Sequence, residues 1–320
     1  MSKIVVQIDG GVGRCICAVP ALERLAKSRE VIVLTAHPEV FYYNPSIYKV
    51  YSLGREYLFD DVIQHCEFIF PEPYWDYNYY QQRTHLIDSF YTLLNKEDPP
   101  DNLKPYIYLS QEEMQEAERY IKQVRSQIGD RKLVAFQPFG AIFNTDTGGD
   151  NTHRSMTYDT ADFILTSLFD ECCFINFTSI GIKNKSMCTD EFTLRQRFAL
   201  IPHCNYFIGI DSFAAHACYG MNLPGTQFIG GTNVINIGYP DYYHTVHREG
   251  YPKSYTAYRM SGSLEKNHGA MDFTKEELAP IIEEIKRRLR GKQNAKDNSL
   301  RLMYEEHAND GQNATPSVVD

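Results

Sequence analysis

Tyr206-Phe-Ile-Gly-Ile210 is a short run of unbroken strand character that passes directly into Asp211-Ser-Phe-Ala-Ala-His216, the opening of a helix. A strand that becomes a helix within two residues has to be one step of a βα unit, buried on both faces of its sheet. The same join stands near the N-terminus. There Lys3-Ile-Val-Val-Gln-Ile8 runs into Asp9-Gly-Gly-Val-Gly13, then into a helical pattern of Ile16, Val19, Leu22 and Leu25, and on to a second strand, Val31-Ile-Val-Leu-Thr35. Short apolar strands alternating with helices predict an α/β protein with parallel sheets. Helix starts at such joins carry unpaired N–H groups and the positive end of the dipole, so both are candidate anion sites.

The remaining pattern divides in two. Further strands are expected at Tyr48–Tyr51 and Glu67–Phe70. Ser110-x-x-Glu113 is a capping box opening a helix that Gly129 stops. The pattern restarts with strand Lys132–Phe136, a long loop from Gln137 to Tyr158, strand Cys172–Thr178, a helix around Phe192–Leu200, and a last strand Thr226–Ile229 before a loop to about 270. A second capping box, Thr274-x-x-Glu277, opens the final helix. The expected organisation is two Rossmann-like domains, 1–129 and 130–290, facing across a cleft, with 291–320 as a tail lacking apolar periodicity. At 320 residues and 43% hydrophobic, the chain can build a core in each half. Ligands of such sheets bind outside the carboxyl ends of the strands, which places the turns at 9–13 and 209–212 at the cleft.

A net charge of −9 argues against a broad phosphate-backbone interface. The eight cysteines form no Cys-x-x-Cys pair and lie mostly in apolar runs, as expected of a reducing compartment. Met1-Ser-Lys passes straight into a strand, and no run is long enough to span a bilayer, so a cytoplasmic protein without membrane insertion is expected. His244-x-x-His247 lacks a third ligand nearby and is a weak metal pair. The aromatic cluster Tyr74-Trp75-Asp76-Tyr77-Asn78-Tyr79-Tyr80 reads as a packed insertion or as a stacking platform for an acceptor.

The turn at 9–14 first suggests a dinucleotide site. Gly11-x-Gly13 is only part of that fingerprint, because Ile16 stands at the third glycine and no acid follows the second strand. The better match lies in two motifs taken together. Gly13-Arg-Cys-Ile-Cys-Ala-Val-Pro20-Ala-Leu22, with Asp211-Ser-Phe-Ala-Ala-His216 and Gly231-Thr232, resembles the heptosyltransferase-like family of GT-B glycosyltransferases. Its members show Gly-Asp-x-x-x-x-x-Pro-Ala-Leu and Asp-Ser-Gly-x-x-His.

This resemblance implies an inverting, metal-independent hexosyl-, heptosyl- or pentosyltransferase. Its donor would be a nucleotide-diphosphate sugar, with no cofactor. The donor site would be drawn from Gln137, Arg154, Ser179, Asp211, Ser212, His216, Gly231 and Thr232. Gly11, Gly13 and Arg14 would bind the acceptor or a phosphate. The acceptor is open between a glycan, a protein and a hydroxylated nucleobase of phage DNA, and nothing sets the oligomeric state. Two positions depart from the pattern: Arg14 stands where the family has its catalytic Asp, and Phe213 where it has glycine. An arginine cannot serve as a base at neutral pH. Asp9 is then either the replacement base or a turn residue bonding its own backbone. Two other classes share the same shell: a non-catalytic nucleotide-sugar binding protein, and a nucleotide-sugar epimerase or hydrolase.

Overall fold

A computed structural model of the chain describes residues 2–140, 143–144, 149–150, 154–178, 186–189, 191–248 and 269–291. Ser179 and the segment 292–320 lie outside the described residues.

The first half contains β1 (Lys3–Ile8), α1 (Val12–Ala26), β2 (Glu30–Thr35), β3 (Ile47–Ser52), α2 (Leu58–Asp61), β4 (Glu67–Ile69), α3 (Tyr77–Tyr80), α4 (Leu86–Asn95) and α5 (Gln111–Ile128). The second contains β5 (Lys132–Gln137), β6 (Phe143–Asn144), β7 (Gly149–Asp150), α6 (Tyr158–Leu168), β8 (Cys172–Asn176), β9 (Ser186–Cys188), α7 (Leu194–Leu200), β10 (Tyr206–Ile210), α8 (Phe213–Gly220), β11 (Gly225–Ile229), α9 (Val234–Ile237), β12 (His244–His247) and α10 (Lys275–Gly291). The class is α/β. One parallel sheet has the order β3-β2-β1-β4, and the other, also parallel, β12-β11-β10-β5-β8-β9.

Both sheets reverse direction at the positions the motifs occupy. In the first, the chain winds from β1 out to β3 and returns to place β4 on the other side of β1. In the second it winds from β5 to β9 and returns to place β10 beside β5. At such switch points the connections leave in opposite directions and open a crevice at the carboxyl ends of the strands. Asp9 follows β1, Gln137 ends β5, and Asp211 follows β10.

Local signals account for the element boundaries. Ser110 and Glu113 make both bonds of the capping box at α5 (2.8 and 3.1 Å), and Thr274 and Glu277 do the same before α10 (2.8 and 3.2 Å). Thr193 and Gln196 form a third box, at α7. Several strands depart from the sequence reading, among them β9, which pairs with β8 where a polar loop was expected. The stretch after Ile229, expected to be loop, contributes β12 as the edge strand beside β11. The loop after Gln137 carries the short antiparallel pair β6–β7. Neither has the apolar run of a buried strand, because an edge strand packs on one side only.

The apolar core is not partitioned as the halves are. One cluster runs from Ile4, Val6 and Ile8 through Cys15, Cys17 and Val19 of α1 to Ala214, Ala215 and Cys218 of α8. A second, including Phe136, Phe174, Ile208 and Ile285, fills the space between the second sheet and α6 and α10. Arg195 of α7 clamps the halves by pairing with Glu113 at 2.6 Å and donating to the carbonyls of Tyr108 (2.6 Å) and Glu39 (3.1 Å). Every cysteine with a described side chain is a free thiol, and only Cys66 is not buried. Among the described residues no helix is long and apolar enough to cross a membrane.

Candidate functional site

The site is built where α1 and α8 begin. Gly10 adopts φ +90°, a left-handed turn that a side chain would strain, and it carries the chain from β1 into α1. Gly11 caps α1 with extended backbone and has no side chain to bond the first N–H groups, and the first turn contains no acid. α8 begins without a side-chain cap from Ser212 and likewise has no acid in its first turn. Neither helix carries an acid within its first turn to offset the positive end of its dipole.

These ends meet at Gly13. A Cβ at that position would lie 3.0 Å from His216 Cδ2 and 3.4 Å from Phe213 Cα. A methyl group there is tight against the first turn of α8 and requires His216 to give by a few tenths of an ångström. Gly13→Ala should therefore displace the His216 ring and destabilise the fold by about 1 kcal/mol through overpacking. Denaturant midpoints measure this, and an unchanged midpoint would mean the contact yields freely.

The second half supplies a bonded cluster. Gln137 takes over the capping of α8: its Oε1 accepts from Ala214 N at 3.1 Å, and its Nε2 donates to Ser212 Oγ at 2.8 Å. Its amide is thus spent on holding the turn. Arg154 donates from Nη1 to the carbonyl of Asp211 at 3.4 Å and stands 3.9 Å from the Asp211 carboxylate. His216 Nε2 lies 4.0 Å from Asp211 Oδ1, while Nδ1 shares a 2.6 Å hydrogen bond with the Tyr239 hydroxyl. Tyr239 is stacked on Tyr219 at 3.9 Å and faces His85 at 4.8 Å. Phe213 fits without glycine because its ring packs edge-on against Phe177 and Phe198.

Burial drives His216 down to about 3, with His85 and Arg154 adding to it, and drives His85 down to about 4. Both are neutral in the fold at any physiological pH. The unfolded chain binds these protons near the ordinary histidine value, about 6.5. From there down to about pH 4 it holds more protons than the fold, so stability rises with pH and is lost on acidification. Each histidine should contribute up to about 1.4 kcal/mol per pH unit in that window. Urea unfolding at pH 7.5 and 5 measures the slope, and His85→Gln should remove its share. A flat profile contradicts buried neutral histidines.

On the first-half side, Asp9 is half-buried just beyond β1, and among the described residues its carboxylate has no hydrogen-bond partner. Arg14 is turned away from the helix junction. Its Nη2 pairs with Glu72 Oε2 at 3.0 Å and donates to the Pro71 carbonyl at 3.3 Å, with the guanidinium above Tyr74 at 4.9 Å. An anion at Arg14 would have to compete with Glu72.

Gly231 and Thr232 follow β11, the neighbour of β10. Both are buried, and Thr232 Oγ1 has no hydrogen-bond partner among the described residues. His244 and His247 stand three apart on β12, so they point to opposite faces and cannot share an ion. Among the described residues no three His, Cys, Asp or Glu side chains gather to hold a metal.

No protein-family model and no curated protein sequence matches the chain. Its fold does match solved structures. A family 9 glycosyl transferase from Veillonella parvula superposes with TM-score 0.63 at 14% identity, over 90% of this chain and 97% of that one. The E. coli ADP-heptose LPS heptosyltransferase II gives 0.58 at 13%, over 90% and 98%. The iron-containing dodecameric glycosyltransferase TibC from enterotoxigenic E. coli gives 0.59 at 12%, over 89% and 78%. This chain has the GT-B fold of the heptosyltransferases.

Within the GT-B frame, Gln137, Arg154, Asp211, Ser212 and His216 form one connected group, and Gly13 touches it. Arg14 belongs to a different group, with Glu72 and Tyr74. Glu72, His85 and Tyr239 carry no motif. For Glu72 a signal existed: Pro71-Glu-Pro73 follows β4, which borders β1 at the switch point of the GT-B first sheet.

Proposed function

We propose that this GT-B chain transfers a sugar from a nucleotide-diphosphate donor to a hydroxyl acceptor, with inversion and without a metal ion. The meeting of two helix N-termini at Gly13, neither with an acid in its first turn, carries this reading. Loss of a nucleoside diphosphate builds negative charge on the leaving oxygen. Positive helix ends and Arg154, fixed before the reaction, can stabilise that charge without reorganising.

The acceptor oxygen attacks the anomeric carbon on the face opposite the leaving group. The bond from that carbon to the phosphate oxygen breaks, which inverts the centre. The acceptor proton passes to a base, a role taken by Asp9; its position just after the carboxyl end of β1 supports this. Gln137 and His216 act as positioning residues: the first holds Ser212, and the second packs beside Asp211. Thr232 Oγ1, buried without a partner among the described residues, is available to a donor oxygen.

The test is thermal unfolding against a panel of ADP-, UDP-, GDP- and CMP-linked sugars, followed by transfer assays. A bound donor must raise the apparent midpoint. Arg154→Ala should weaken that donor about tenfold or more, as expected for loss of a charge-assisted contact. No shift with any donor overturns the reading. A second reading, a nucleotide-sugar binding protein without turnover, is favoured by one observation: the family's catalytic Asp is replaced by Arg14, which is occupied by Glu72. Donor binding without transfer or hydrolysis would establish it, and donor consumption without an acceptor would instead indicate an epimerase or hydrolase.

A further inference from the structure

The geometry points to Tyr239 as a positioning residue: its hydroxyl fixes the ring proton of His216 on Nε2, facing Asp211, and so holds the Asp211–Arg154 pair in place. The tautomer follows from the packing around His216 alone, whereas the pair's part in donor binding rests on the glycosyltransferase reading.

His216 is 3% exposed and lies in the first turn of α8, so its ring nitrogens have to find their partners inside the protein. Nδ1 is 2.6 Å from the Tyr239 hydroxyl, and Nε2 is 4.0 Å from Asp211 Oδ1, a dipole contact beyond hydrogen-bond length. A neutral imidazole has one N–H and one lone pair, so two arrangements exist. With the proton on Nε2, the Tyr239 O–H donates to Nδ1 and the N–H dipole points at the carboxylate. With the proton on Nδ1, a lone pair would face Asp211 and the hydroxyl would need another acceptor. His85 is not one, because its Nδ1 already accepts from Ile87 N at 3.2 Å and its proton therefore sits on Nε2. The Cys17 thiol hydrogen-bonds the same hydroxyl, but burial keeps that thiol protonated and hence a weak acceptor. Burial likewise keeps the Tyr239 hydroxyl protonated. Both neighbours of the imidazole favour the first arrangement.

The ring that carries the hydroxyl is held on face and edge. Tyr219 stacks on it at 3.9 Å, and Tyr243 meets it edge-on at 5.8 Å while donating from its own hydroxyl to the Ala215 carbonyl of α8 at 2.8 Å. A ring fixed by packing aims its hydroxyl without further loss of side-chain freedom. Removing the hydroxyl strands Nδ1 in a buried site, and the imidazole loses both the bond that orients it and half of what fixes its proton. Asp211, with Arg154 3.9 Å from its carboxylate, is then less firmly placed.

Nitrogen-15 spectra of the full-length protein labelled at histidine, with the His216 signals identified by His216→Gln, read the tautomer at neutral pH without altering the site. A proton on Nε2 and a hydrogen-bonded, unprotonated Nδ1 are expected, and a proton on Nδ1 overturns the proposal. Donor affinity is then measured for Tyr239→Phe, His216→Gln and the double variant, using the nucleotide sugar that stabilises the unaltered protein. Tyr239→Phe keeps the stacked ring and should weaken the donor about three- to tenfold, the scale of one lost hydrogen bond. The double variant should bind no more weakly than His216→Gln alone, because the hydroxyl acts through that imidazole. Additive losses, or unchanged affinity in Tyr239→Phe, overturn the proposal and leave the transferase reading standing. If no donor stabilises the unaltered protein, that reading falls and takes the pair's part in donor binding with it, while the spectra still decide the tautomer.

Discussion

Asp9→Asn should lower the transfer rate by about 10²–10⁴-fold, the usual loss for a positioned general base, while leaving donor affinity within about twofold. The amide keeps the shape and the turn but cannot take a proton. Asp9 is half-buried beyond β1, and among the described residues nothing else claims its carboxylate. Loss of rate with intact donor binding therefore separates proton transfer from phosphate recognition. The turn beside it makes the control straightforward, because Gly10, not Asp9, holds the left-handed conformation. A variant with near-normal turnover and an unaltered melting profile would remove Asp9 from the chemistry and leave it as a turn residue.

The second large effect is on stability. Glu72→Ala should cost about 3–5 kcal/mol, because it strands a buried guanidinium whose attraction to Glu72 offsets its desolvation. The side chains of Arg14 and Glu72 are only 8% and 15% exposed, and Arg14 Nε is already buried without a partner among the described residues. Removing both charges with Arg14→Leu/Glu72→Ala should recover most of the loss, since an apolar pair over Tyr74 and Phe90 needs no compensation. The cycle is read by chemical denaturation. A cost below about 1 kcal/mol for Glu72→Ala, accompanied by tighter donor binding, would instead make Arg14 a ligand-binding cation that Glu72 merely screens.

These outcomes bear on how the departure from the family pattern is understood. With Arg14 where the resemblance leads one to expect Asp, the first turn of α1 carries a cation drawn to Glu72. That contact ties the segment Pro71–Tyr74 to α1. The proposed base moves five residues back, to the end of β1. The change at Phe213 has a simpler basis, since its ring packs against Phe177 and Phe198 and leaves its backbone against Gly13.

The sequence by itself determined what depends on neighbours along the chain. The strand-to-helix joins at Asp9 and Asp211, the capping boxes at Ser110 and Thr274, and the α/β alternation are set by periodicity and by side chains bonding backbone three residues away. Asn176 illustrates the limit of motif reading: it begins a glycosylation sequon, yet it is fully buried in β8, with its Oδ1 accepting from Thr178. Tertiary structure alone decided which groups meet. Glu72 reaches Arg14 across 58 positions, Gln137 reaches Ser212 across 75, and Asn236 reaches Tyr79 across 157. Strand order creates those pairs, because β4 returns beside β1 and β10 returns beside β5. The same order decides exposure, so Tyr79 faces the core while Tyr77 and Tyr80, one turn of the same helix, face water. Nothing in a run of tyrosines distinguishes them until the surface they pack on exists.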